Sequence, residues 1–168
     1  MDSAHSRTAF AHVGARPVHG RFGGFTLTEL LIGVAIVSLL ASIAAPSFSD
    51  LMAAQRTRAG ATDLYLALAK ARSEAIKRNT NVTLSKKGAN WQDGWEILNP
   101  TDNTIKLEDH NAVTGITITG PTSVVYLSTG RVRGTTRPSF DFSISGTSAA
   151  ACVTVDLSGL PTQKSSPC

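Results

Sequence analysis

Residues 21–48 read Arg21-Phe22-Gly23-Gly24-Phe25-Thr26-Leu27-Thr28-Glu29-Leu30-Leu31-Ile32-Gly33-Val34-Ala35-Ile36-Val37-Ser38-Leu39-Leu40-Ala41-Ser42-Ile43-Ala44-Ala45-Pro46-Ser47-Phe48. From Leu30 through Ser49 there are 20 residues without a charge, about the length that crosses a bilayer as a helix. Glu29 stands just inside the N-terminal end of this run, where a carboxylate is costly in lipid and needs a partner and a job. Arg7, Arg16 and Arg21 precede it, and basic residues hold their flank of a membrane helix in the cytoplasm. The small-residue junction Gly23-Gly24-Phe25-Thr26 lies before the apolar run. A secretory signal is cut behind its apolar core, so here the core is kept and only the basic leader is removed.

Gly24, Phe25, Thr26, Leu27, Glu29, Leu30 and Pro46 match the type IV prepilin signature residue by residue, and the chain resembles that family. The resemblance implies cleavage after Gly24 by a prepilin peptidase and N-methylation of the new Phe25 amine. It also implies that Glu29 pairs with the N-terminus of a neighbouring subunit during assembly. The expected organisation is a cleaved leader at 1–24, a membrane and filament-core half of the helix at 25–52, and a periplasmic globular domain at 53–168. Inner-membrane insertion with a single pass comes first, and then the pilus at the cell surface.

The 168 residues hold 16 Lys+Arg and 12 Asp+Glu. The first 24 residues take three Arg and one Asp with them, so the excess of positive charge on the remainder is slight. A nucleic-acid role must therefore rest on a local patch. His5, His12 and His19 in the leader read as part of a polar, discarded segment and not as a metal site. Cys152 and Cys168 are the two cysteines. An even pair facing the periplasm reads as a disulfide, with two free thiols or half a metal site as the alternatives. No His or Cys lies near enough in sequence to complete a zinc quartet. No metal or cofactor is implied.

Beyond Pro46 the pattern turns amphipathic. Leu51, Ala54, Ala61, Leu64, Tyr65, Leu68, Ala71, Ala75 and Ile76 recur at helical steps, and Arg56, Asp63, Lys70, Lys77 and Arg78 occupy the other face. The spacing predicts one helix over about 26–78 with a kink near Pro46, whose ring displaces a backbone hydrogen bond. The basic cluster Lys70, Arg72, Lys77, Arg78, Lys86 and Lys87 falls at its end, where positive charge is stabilising in its own right.

After Asn79 the period shifts towards two. Val82 and Leu84 alternate with polar residues, and Trp95–Leu98, Thr104–Leu107, Val113–Thr119 and Ser123–Leu127 read as strands. Phe140, Phe142 and Ile144 alternate, as do Val153, Val155 and Leu157. Six or seven short antiparallel strands in two sheets follow, giving an α+β fold of type IV pilin-like architecture, a long N-terminal helix packed on a small two-sheet β domain. Trp91 and Trp95 belong to the core by default. His110 is the only His after the leader and no Ser-His-acid pattern surrounds it, so no enzyme is expected.

This order of elements, with a C-terminal cysteine loop and the helix-closing run Ala69-Lys70-Ala71-Arg72-Ser73-Glu74-Ala75-Ile76-Lys77-Arg78, looks like the FimT/FimU minor pilins. The H pseudopilin of type II secretion shares that class. The resemblance implies a low-abundance subunit at the tip or in the priming complex, with other pilin and minor pilin subunits as partners and pilus assembly, twitching or DNA uptake as its service. Some FimT-type members bind DNA in natural transformation through a C-terminal Gly-Arg-x-Arg motif. This chain has Gly130-Arg131-Val132-Arg133 and then Arg137, outside the tail where the family carries that motif. Two Arg one residue apart can contact neighbouring phosphates without reading bases. The alternatives are thus a DNA-binding receptor through Arg131, Arg133 and Arg137, or a charged turn between Leu127 and Phe140.

Overall fold

The computed structural model describes residues 24–168, without the side chains of residues 43–47. The expected leader, apart from its last residue Gly24, therefore lies outside the described residues, and so does the side chain of Pro46, on which the kink was expected. One helix, α1, runs Leu27–Arg78. The chain divides into two compact units, the first ending at Leu40 and the second running Ala41–Cys168. In the first unit the helix is exposed from Leu27 through Leu40. Among the described residues no helix is long and apolar enough to cross a membrane. The apolar run anticipated as the span continues into residues 43–47.

In the second unit α1 buries Ala61, Leu64, Ala67, Leu68, Ala71 and Ala75 against two sheets. The expected stripe is correct at its centre and wrong at its ends. Leu51 and Ile76 are about half exposed, while Ala53, Thr57 and Gly60 are buried. The helix stops at Asn79, which takes the left-handed conformation (φ 50). Thr80 N–H donates to the Ala75 carbonyl and Asn79 N–H to that of Ile76. This is the Schellman closure, with Asn in place of the usual Gly.

Eight strands follow: β1 (Val82–Lys86), β2 (Trp95–Asn99), β3 (Asp102–His110), β4 (Thr117–Thr119), β5 (Ser123–Tyr126), β6 (Ser139–Ser143), β7 (Ala150–Val155) and β8 (Pro161–Lys164). They form two antiparallel sheets, ordered β3-β2-β1-β5 and β4-β6-β7-β8. Two differences from the sequence expectation stand out. Val113–Thr119 contracts to β4, because Val113 N–H donates to the Gln92 carbonyl instead of a strand. β8 was not anticipated.

Alternation holds in the core strands. Trp95 and Ile97 of β2 and Phe140 and Phe142 of β6 point inward, each contributing roughly 1.5–3 kcal/mol by burial. A one-turn helix at Trp91–Asp93 joins the sheets. Its Trp91 meets Phe140 edge-on at 4.9 Å, and the indole N–H donates to the Pro121 carbonyl at 2.6 Å. Both Trp residues are core.

Candidate functional site

The N-terminal end of α1 is held by its own side chains. Thr26 is the N-cap and Glu29 lies three residues on. Thr26 N–H and its hydroxyl both donate to Glu29 Oε2 at 2.9 Å, and Glu29 N–H donates back to Thr26 Oγ1 at 3.2 Å. This capping box satisfies two of the backbone donors that a helix start leaves free. Glu29 remains exposed, and Phe25, just ahead of it, is 89% exposed. The helix thus begins with a carboxylate and an aromatic residue turned outward. The box was written in Thr26-Leu27-Thr28-Glu29 but was not read there.

The second candidate lies on the arm after β5. Gly130 N–H donates to the Leu127 carbonyl, Leu127 N–H to that of Arg131 and Arg133 N–H to that of Val125, each at 2.8 Å. Tyr126 bridges Val132. The turn is therefore Leu127–Gly130, and Arg131-Val132-Arg133 is an extended arm laid along β5. Val132 turns inward at 5% exposure, which leaves Arg131 and Arg133 both exposed on the other side.

Arg133 and Arg137 line a surface hollow of about 470 Å³ together with Ser123, Ser139 and Asp141. Arg131 is not part of that lining, so the structure brings together two of the three expected Arg and leaves the third beside them. None of the three guanidinium groups has an ion pair among the described residues. Gly130 is not a loose hinge. Its carbonyl accepts from Arg72 Nε at 3.2 Å, and the turn is packed against the Asp156–Leu160 loop.

Cys152 of β7 and Cys168 form a disulfide with Cα atoms 5.1 Å apart. Cys168 N–H donates to Asp141 Oδ1 at 2.7 Å, so the bridged tail also anchors the carboxylate that lines the Arg hollow. Among the described residues, the one group of three metal-ligating types is Asp141, Cys152 and Cys168, and its two sulfurs are consumed by the bridge. Removing the bridge, as Cys152→Ala/Cys168→Ser, is expected to cost about 3 kcal/mol. The change should appear in the fluorescence of the buried Trp91 and Trp95 as a fall of roughly 1–2 M in the urea midpoint. A midpoint equal to the parent's would show that the tail adds nothing to stability.

The basic cluster at the helix end is partly neutralised, with four of its six cations in ion pairs. Arg78 and Lys77 pair with Glu74, Lys70 with Glu108 and Lys87 with Asp109. The Arg78 hydrogen bond holds the Glu74 carboxyl below the usual range, and Lys87 does the same to Asp109, assisted by Lys106. These are solvated ion pairs, screened by water, and they add little to stability. A second hollow, of about 660 Å³, is lined by Arg56, Asp63 and His110. His110 is stacked on Trp95 at 4.0 Å with Nε2 3.4 Å from Asp63.

The family model described as type II transport protein GspH matches residues 60–159. The prokaryotic N-terminal methylation motif matches residues 20–45. No curated protein matches the chain. Two crystal forms of the type IV minor pilin FimU of Pseudomonas aeruginosa are similar in fold. One has 18% identity and a TM-score of 0.58 over 66% of this chain and 89% of that one. The other has 19% identity and a TM-score of 0.55 over 64% and 91%.

Proposed function

From the premise that the chain belongs to the GspH family of type II transport proteins, we propose that it is a minor pilin, incorporated at the tip or in the priming complex of a type IV pilus and required for its assembly. The observation that carries this reading is the exposed helix start, with Phe25 and Glu29 turned outward inside a matched methylation motif. A prepilin peptidase cuts after Gly24, the Phe25 amine is methylated, and the anchor holds the chain in the inner membrane until neighbouring subunits take it up. In the native host, deleting the gene should reduce surface pili tenfold or more and leave type II secretion unchanged. Loss of secretion with normal pili would assign the chain to the secretion machine as its H-type pseudopilin.

A second reading is favoured by the arm after β5. Arg131 and Arg133 are exposed on one side, without an ion pair among the described residues, with Arg137 nearby. They can neutralise successive phosphates of DNA without base readout, as a receptor in natural transformation requires. With the full chain in detergent, Arg131→Gln/Arg133→Gln should weaken DNA binding about tenfold at moderate salt. The slope of log K against log salt should fall by roughly 2. An unmutated chain that does not bind DNA at low salt excludes this reading without touching the first.

A further inference from the structure

The tail after β8 returns over the outer face of the second sheet and fixes a carboxylate there. Strand register places Thr119 of β4, Asp141 of β6, Cys152 of β7 and Lys164 of β8 in one row across that sheet. Residues opposed in antiparallel strands share a face. Phe140 and Phe142, on either side of Asp141, point into the core, so the row lies on the outer face. Cys152 is buried in this row and Cys168 is exposed above it, joined to it by the disulfide. Cys168 N–H donates to Asp141 Oδ1 at 2.7 Å. The bridge thus draws the Asp141 carboxylate towards β7.

Towards β4 lies the hollow of Arg133 and Arg137. Thr119, Ser139 and Asp141 line it with them, and neither cysteine does. Asp141 is the one acid in that lining among the described residues. Two exposed guanidinium groups therefore share a hollow with a carboxylate, yet neither makes an ion pair among the described residues. An arginine ordinarily takes a carboxylate within reach through two parallel hydrogen bonds. Here the tail N–H, itself a donor to a charged acceptor, competes for the same group. Asp141 has two staggered alternatives, one towards the tail and one towards the hollow, and the bridge selects the first.

We propose that the Cys152–Cys168 bridge is a redox switch for the Arg hollow, with Asp141 as the moving part. While the bridge is closed, Arg133 and Arg137 have no counter-ion and stay open to a polyanion. The reductant is a dithiol. Its thiolate attacks the sulfur of Cys168, the exposed one of the two, and the Cys152 sulfur leaves and takes up a proton. The second thiol of the dithiol then displaces Cys168 as a free thiol, and the dithiol ends as a disulfide. The tail is released, and Asp141 turns across β6 and pairs with Arg133 or Arg137, which cancels one positive charge. The consequence of the switch, weaker hold on a phosphate backbone, rests on the receptor reading of the arm. The pairing itself does not.

The full chain in detergent is titrated with duplex DNA, bridged and after reduction by dithiothreitol, with Trp fluorescence verifying the fold in each state. Reduction should weaken binding by the parent about threefold and lower the slope of log K against log salt by roughly 1. Asp141→Asn still accepts the Cys168 N–H but has no charge for an arginine, so reduction should leave its binding unchanged. Phenylglyoxal, which modifies free guanidinium groups, reads the pairing without DNA. Arg133 and Arg137 of the parent should react at least threefold more slowly once reduced, and those of Asp141→Asn at one rate in both states. If the reduced chain unfolds, bridged Asp141→Glu carries the test, because its longer carboxylate reaches the hollow with the tail in place. Its two arginines should react at least threefold more slowly than those of the bridged parent. Equal rates in the two folded states of the parent would overturn the proposal. So would a slowing that Asp141→Asn shows as well, or a bridged Asp141→Glu chain that reacts like the parent. The expected rates with no DNA binding in either state would exclude the receptor reading and uphold the switch.

Discussion

Replacing Gly159 by alanine is expected to lower the thermal midpoint of the unit Ala41–Cys168 by roughly 10 °C, a loss of about 3 kcal/mol. Gly159 sits at φ +88, and a methyl group there would overlap the carbonyl of Gly130 and crowd Tyr126. Two loops meet at this point. One follows β5 and leads into the Arg131–Arg133 arm, and the other joins β7 to β8. Gly159 N–H donates to the Asp156 carbonyl at 2.9 Å, and Asp156 Oδ1 accepts from Leu160 N–H at 3.2 Å and from the Ser158 hydroxyl, so this loop has little room to give. The Gly130 carbonyl is held from the other side by Arg72. A methyl group can enter only by driving the loops apart. Gly146→Ala supplies the comparison, since Gly146 has φ +78 and open space around it. It should show only the backbone cost, about 1 kcal/mol. A midpoint for Gly159→Ala within 2 °C of that for Gly146→Ala would show that the close contact between the loops costs nothing to open.

The second large effect is expected at Glu29, where two roles coincide. The capping box uses the carboxylate as an acceptor, while the proposed pairing with a neighbouring subunit's N-terminus uses its charge. Glutamine separates the two, because Gln at the third helical position can also reach back to the N-cap. Glu29→Ala loses both, and Glu29→Gln loses chiefly the charge. Both variants should insert in the membrane and lose their leader normally, yet be recovered in sheared pili at a tenth or less of the parent amount. Normal recovery of Glu29→Gln with loss of Glu29→Ala would assign Glu29 to the cap alone. Normal recovery of both would dismiss the pairing role.

The N-terminal methylation motif was the most legible feature, because a run of apolar residues and one misplaced acid leave few physical readings. The helix limits, expected at about 26–78, agree with Leu27–Arg78, although the caps Thr26 and Asn79 that set them were not read. The direction of the helix was harder. Leu51 and Ile76 are apolar and fall at helical steps, yet each is about half exposed, because they flank the row of Ala61, Leu64, Leu68 and Ala75 and periodicity alone does not say where the buried face ends. Thr57 and Gly60 on the buried face further blurred the contrast.

β8 escaped notice because Pro161-Thr162-Gln163-Lys164 buries only Pro161. An edge strand with three exposed side chains leaves no alternation to read. At the Arg site the sequence supplied the residues but not their surroundings. That Asp141 and the bridged tail share a corner with Arg133 and Arg137 depends on β6 lying beside β7, a pairing that spacing does not encode.

The path of the chain between the sheets has a kinetic consequence. β1, β2 and β3 can pair as soon as they are made, by short hairpin steps. The chain then crosses to the other sheet for Thr117–Thr119 before returning at Ser123–Tyr126 to pair with β1. Neither sheet is therefore encoded by one uninterrupted segment, and each closes only after a long loop has been brought together. The two sheets should melt as one cooperative step, with β1–β3 completed only when β5 returns to the free edge of β1.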